Sequence, residues 1–421
     1  MRKILLFILL SASYAQAQTL SLKEVLGQVQ AQHPELEMYQ SQAKAYDAMA
    51  EGATAWEAPQ LSAGFFMSPY QSSYWKDQTT TVDGMPSMMR GMGNVMIQAR
   101  QMIPNTGRLK ASQRYQRAMS SVESERKNVA ANELLFQAKS AYYEAQILER
   151  KLKVLKESQQ TVRTMVQMGE KKIAFSQESL ASVYKAKSQS ALLEKDNRMM
   201  EGQHKQKLYL LNGLMNRAKA ELFALDTTFV IKDYELATID SSTVLQNRSD
   251  LMAIDRSIQV ALLKQKAEQR RSRPDFGIEY GHMFTFGGNP NMFTLMGMMS
   301  VPIAPWSSKM YKSSIKASRL EVQAMQDQKE ALLIESVNML QGIKEEIAST
   351  KYQIKLYQDM ILPSLRKAYD VSMFAYSNNT GELFMALDAR MSLQMAQMQY
   401  WDTLLNLLQL QANYEKQTQV F

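Results

Sequence analysis

The chain has 421 residues, a formal charge of +8 from 49 Lys and Arg against 41 Asp and Glu, no cysteine, and 31 methionines beside 17 glycines and 10 prolines. Without cysteine there are no disulfides, thiolate metal sites, thiol redox catalysis or N-terminal lipidation. Basic and acidic residues are interspersed along helical stretches, which makes solvated faces and not a nucleic-acid footprint.

Met1-Arg2-Lys3, the apolar run Ile4 to Leu10 and the small-x-small Ala15-Gln16-Ala17 have the three-part form of a secretory signal, predicted to span 1–17. The competing reading is a buried N-terminal helix. No later stretch has the eighteen or so apolar residues of a transmembrane helix. An exported chain of this kind is periplasmic, secreted, or spans the outer membrane as a β-barrel.

Ser21-Leu22-Lys23-Glu24 has the form of a capping box and predicts a helix, broken at His33-Pro34 and reaching about Trp56. Leu61, Ala63 and Phe65 then alternate with polar or small residues, which predicts a strand over 59–65. A polar loop over 68–94 leads to a second strand, 95–103, ended by Pro104. From there to Asn212 there is no proline. One helix is predicted over 109–168, roughly 90 Å long. Leu148, Leu152, Leu155, Gln159, Val162 and Val166 form a heptad seam on it. A turn over 169–176 and a return helix over 177–211 complete a hairpin of a length unusual in globular proteins.

After a connector over 212–247 the pattern starts again, with a helix over 249–271. In the next strand Phe276, Ile278, Tyr280, His282, Phe284 and Phe286 alternate with Gly277, Glu279, Gly281, Met283 and Thr285. Apolar groups on one face and small or polar groups on the other suit a wall between lipid and lumen. A tight loop over 287–291, a strand over 292–301, a helix over 308–376 kinked at Pro363, a turn over 377–381 and a last helix to Tyr414 follow. The fold class predicted is mainly α with a membrane β-barrel portion. It is one domain over 18–421 made of two repeats, about 18–215 and 248–421, each a β-hairpin plus a long helical hairpin. Ala186-Lys187 and Ala389-Arg390 mark the duplication, 203 residues apart.

Four strands do not close a membrane barrel, whose smallest members have about eight. Unpaired strand edges in lipid cost several kcal/mol per group. The chain must therefore share its barrel with other chains. The strand-Pro segments Met102-Ile103-Pro104 and Ser300-Val301-Pro302, each leading into a long helix, resemble those of the TolC-like outer-membrane efflux proteins. So do Leu362-Pro363, Ala375-Tyr376 and Leu387-Asp388-Ala389, and the likeness spans Ser21 to about Tyr414. The resemblance, which includes the heavy-metal efflux branch of that family, implies a homotrimer with a twelve-stranded barrel continuing into a periplasmic α-helical barrel. It also implies a periplasmic adaptor and an inner-membrane RND or ABC-type pump as partners, with outer-membrane lipid around the barrel. A periplasmic coiled-coil adaptor or scaffold is the alternative, but it has no reason to carry four barrel-like strands.

The resemblance carries a gate to Asp388, which three copies would gather into an anionic constriction. The neighbouring gate positions fall on Met385, Tyr376 and Ser182, where the family's best-known member has aspartate at the first and last, and on Gly381, where it has arginine. The bland reading of Asp388 is a solvated carboxylate. Met85, Met88, Met89, Met92, Met96, Met292, Met296 and Met298 crowd the two β-hairpins, joined by Met102, Met283 and Met299. Thioethers are soft ligands suited to Cu(I) and Ag(I). The bland reading is that they fill helix seams and lipid-facing strands, as Met391, Met395 and Met398 do at helical spacing. His33, His204 and His282 lie far apart, and there is no HExxH, GxSxG or phosphate loop, so neither an enzyme nor a cofactor is expected.

Overall fold

The computed structural model describes residues 19–70, 72, 75, 93–218, 223–234, 241–286 and 290–419. The signal segment, Met85, Met88, Met89 and Met92 lie outside the described residues. Contacts group the chain into two compact units, each built from both halves of the sequence. One comprises 1–38, 127–249 and 332–421; the other comprises 39–126 and 250–331.

The helical unit begins with β1 (Thr19–Leu20) and α1 (Leu22–Gln32). The predicted capping box is formed: the Glu24 N–H donates to Ser21 Oγ at 3.3 Å, and the Ser21 N–H donates to Glu24 at 2.8 Å. His33 caps α1, and α2 (Pro34–Gly52) starts at the predicted break but ends at Gly52, short of Trp56. The predicted first long helix is α3 (Thr106–Ile173, 68 residues), and its return is α4 (Leu180–Leu214). The connector, read as irregular, contains β4 (Ala224–Leu225), which pairs with β1 in parallel, and α5 (Ser241–Asn247). Tyr142 fixes that strand pair: its buried hydroxyl donates to the Leu20 carbonyl at 2.9 Å and accepts from the Asp226 N–H at 3.2 Å.

In the second half come α6 (Ser249–Arg270), α7 (Pro305–Leu356), α8 (Leu362–Ser377) and α9 (Leu383–Thr418). Between α7 and α8 a π-turn covers Tyr357–Ile361, immediately before Pro363. Proline offers no N–H to the helical ladder, and the wider turn, with the Leu362 N–H donating to the Tyr357 carbonyl, absorbs the misfit.

The heptad seam of α3 is displaced from the predicted one. Leu152, Leu155 and Val162 are buried, but Leu148, Gln159 and Val166 are only half-buried, and the stripe runs through Ser158, Met165 and Gly169 instead. The reason is close approach. A Cβ on Gly169 would lie 2.9 Å from Val183 Cγ2 and 3.1 Å from Leu383 Cδ2, so α4 and α9 approach α3 too closely there for a side chain, and the helix continues through the predicted turn start at 169 to Ile173.

The second unit carries a four-stranded antiparallel sheet in the order β2 (Gln60–Phe65), β3 (Gly93–Ile103), β5 (Asp275–Phe286), β6 (Met292–Ser300). The two predicted hairpins are joined side by side through β3 and β5, with Arg100 opposite Glu279 and Met96 opposite Met283. Beside the sheet, the Asp275 carboxylate accepts from the Asn105 N–H at 2.9 Å and pairs with Arg108 at 2.7 Å, fixing the turn between β3 and α3.

Candidate channel wall and gate

Register sorts the sheet into two faces. One carries Leu61, Ala63, Phe65, Val95, Ile97, Ala99, all the even-numbered residues of β5, Phe293 and Leu295. It is apolar and open: Phe293 is 71 % and Leu295 66 % exposed. The other carries Gln60, Ser62, Gln98, Arg100, Glu279, Thr285 and Thr294. There the buried Glu279 carboxylate pairs with Arg100 at 2.6 Å and accepts from Gln98 at 3.3 Å. Among the described residues β2 pairs with β3 alone and β6 with β5 alone, so both outer strands keep an unpaired edge. The arrangement is that of a barrel segment: hydrocarbon on one side, water on the other, strands to be completed at each edge.

The ends of the two long hairpins form the second feature. Each turn is closed by a left-handed residue, Ser176 (φ 57°) and Asn379 (φ 60°), again 203 residues apart. In each, one N–H reaches back to the preceding helix: Gln177 to the Lys172 carbonyl and Thr380 to the Ala375 carbonyl, both at 3.0 Å. The duplication is thus visible in the backbone. Leu155, Val162 and Met165 of α3, Val183, Ala186 and Leu193 of α4, Tyr376 of α8, and Leu383, Ala386 and Leu387 of α9 make one core. Met391 and Met398 pack against it, as expected, while Met395 is 58 % exposed.

The sequence-predicted gate residues separate on this frame. Tyr376 is buried at its centre, and its phenol oxygen has no hydrogen-bond partner among the described residues, Ser182 included. Lys172 lies 3.9 Å over the Tyr376 ring and donates to its carbonyl at 2.5 Å. Ser182 is half-buried on the flank of α4. Met385 and Asp388 lie together on the outer side of α9, both exposed, opposite the inward Leu383, Ala386, Leu387 and Arg390. Lys185, the repeat equivalent of Asp388, is held 3.8 Å over the Phe384 ring.

Arg390 was not singled out by sequence. It is buried, donates to Ser158 at 2.8 Å, lies 5.5 Å over the Tyr369 ring, and its Nε has no partner among the described residues. Burial holds its guanidinium below the usual arginine range. Its repeat equivalent, Lys187, is an exposed partner of Glu170, so the signal available was a charged residue at a heptad core position.

Burial pushes the Tyr376 hydroxyl up to about 12, with Glu178 adding to the effect. The folded chain keeps a proton there that the unfolded chain loses near 10. Stability from this group is therefore complete below pH 10 and declines as pH rises towards 12. Tyr376→Phe should shallow that decline in thermal melts across the same window. It should also leave neutral-pH stability unchanged or up to about 1 kcal/mol higher, because an unsatisfied buried hydroxyl is removed. A clear loss at neutral pH would show that the hydroxyl has a partner.

Residues 25–217 match the family described as outer membrane efflux protein. The match covers a little under half of the chain. No curated protein matches by sequence. Solved structures share the fold over 94 % of this chain: CusC (15 % identity, 91 % of that chain, TM-score 0.74), VceC of Vibrio cholerae (14 %, 95 %, 0.73) and the CmeC outer membrane channel of Campylobacter jejuni (13 %, 85 %, 0.75). The TolC-like resemblance read from the sequence is borne out. The family match and the descriptions of these structures agree on the fold of an outer-membrane channel. No described helix is long and apolar enough to cross a membrane.

Proposed function

We propose that three copies of the chain form one passive efflux conduit, with a twelve-stranded barrel in the outer membrane and an α-helical barrel in the periplasm. The observation that carries this is the four-stranded sheet with one apolar face, one polar face and two unpaired edges. Rotational symmetry pairs the β2 edge of one copy with the β6 edge of the next and leaves no open strand in lipid. The conduit has no energy source of its own. It works with a periplasmic adaptor and an inner-membrane RND or ABC-type pump, and its cargo is small molecules or metal ions.

The gate lies at the hairpin ends, where exposed Asp388 and Met385 from three copies form the constriction. Tyr376 and Ser182 act behind it, Tyr376 as the buried pin that fixes α8 against α3 and α4. Like carboxylates in a narrow pore favour cations. Fractionation and planar-bilayer recording test both levels. The protein is expected in outer-membrane fractions as a conducting, cation-preferring trimer, and Asp388→Asn should reduce that preference without loss of assembly. A soluble periplasmic monomer would favour the adaptor reading and overturn the conduit. Unchanged selectivity in Asp388→Asn would remove Asp388 from the gate.

A further inference from the structure

The strand register gathers methionine on one side of the sheet. Met96, Met102, Met283, Met292, Met296 and Met298 all stand on the polar face, and Met299 alone of the methionines on the described strands stands on the apolar one. Methionine used as a flexible apolar filler belongs on the lipid side. This distribution is the reverse.

Within the polar face the sulfurs are grouped. Met96 is directly opposite Met283, and Met283 is directly opposite Met292, so three thioethers share one row across β3, β5 and β6. Opposed residues have Cβ atoms about 4.5–5.5 Å apart, well within the reach of methionine arms. At a second level Met102 and Met298 meet over Gly277. A Cβ at Gly277 would lie 2.7 Å from Met102 Sδ and 3.3 Å from Met298 Cε, so the glycine makes room for both. Between the two levels, Met296 stands opposite Glu279. The Glu279 oxygens are engaged by Arg100 and Gln98, which leaves neutral sulfur as the available donor. Thioethers need no deprotonation and select Cu(I) and Ag(I) over cations that want oxygen ligands.

We propose that the Met96–Met283–Met292 row, followed by the Met102–Met298 pair, is a binding site for a soft monovalent cation, Cu(I) or Ag(I), on the conduit wall. The inference rests on the polar face lining the lumen, and it names the cargo class. The two levels are six residues apart along β5, about 20 Å. Several weak sites in series let an ion enter and also leave.

The test uses the full chain in detergent, with Ag(I) as the probe because it does not change oxidation state on handling. Calorimetric titration should show saturable Ag(I) binding and no comparable Zn(II) binding. The combined variant Met96→Leu, Met283→Leu, Met292→Leu, nearly volume-conserving, should bind Ag(I) about tenfold more weakly or worse. Equal affinity in variant and wild type overturns the proposal. A second readout needs no variant: bound Ag(I) should slow peroxide oxidation of Met96, Met283 and Met292 relative to Met299, followed by peptide mass spectrometry. Identical oxidation with and without Ag(I) also overturns it. Conductance of the silver-free wild type reports on the conduit separately. A conducting wild type that binds no Ag(I) removes the site and keeps the conduit; a non-conducting one that binds Ag(I) keeps the site and removes its placement on a lumen.

Discussion

Glu415→Ala is expected to destabilise the helical unit by about 3–5 kcal/mol, the cost of leaving a buried charge without its partner. Glu415 is 1 % exposed, yet its carboxylate is paired with buried Lys139 and with Lys232, and it accepts the hydroxyl of Tyr234. Gln411 joins the same cluster, donating to the Lys232 carbonyl at 2.7 Å. The network ties the segment 229–234 to α3 and α9. Removing the carboxylate leaves two ammonium groups facing each other with nothing to accept from them. Glu415→Gln keeps an acceptor and should recover part of the loss. Lys139→Met combined with Glu415→Leu, which removes the buried pair together, should be much milder than Glu415→Ala. Thermal melts of the detergent-solubilised protein read all three; a loss under about 1 kcal/mol for Glu415→Ala would mean that solvent already screens the cluster.

The second large effect lies in the sheet. Leu295→Arg, near the middle of β6 and directly opposite Tyr280 on the apolar face, should cost about 2–4 kcal/mol of stability in the membrane. The adjacent Thr294→Arg, on the polar face opposite Gly281, should be tolerated in assembly and should shift ion selectivity instead. Refolding into lipid vesicles in graded denaturant, with conductance of the assembled protein, separates the two. Equal destabilisation by both substitutions would contradict the assignment of the faces.

Much of the architecture is legible in the sequence, because its signals are local. The capping box at Ser21, the break at His33-Pro34, the alternation through β5 and the disturbance before Pro363 each depend on residues a few positions apart. The heptad seam was legible in period but not in phase. Its true line through Ser158, Met165 and Gly169 depends on how closely α4 and α9 approach, and Gly169 gives no sign of that by itself. The short strands β1 and β4 were missed because two-residue pairing over 200 residues leaves no periodic trace.

Duplication, long helical hairpins and a sheet with one apolar face were determined by the sequence alone, since periods of two and three and a half are written in neighbouring residues. Tertiary structure decided the rest. The β3–β5 register, joining residues some 180 positions apart, put Met96, Met283 and Met292 in one row and Arg100 against Glu279. Helix packing buried Tyr376 and Arg390 while leaving Asp388 and Met385 exposed. Alternation tells a residue which face it shares with its own strand, but only the pairing of distant strands and helices tells it which side chains it will meet.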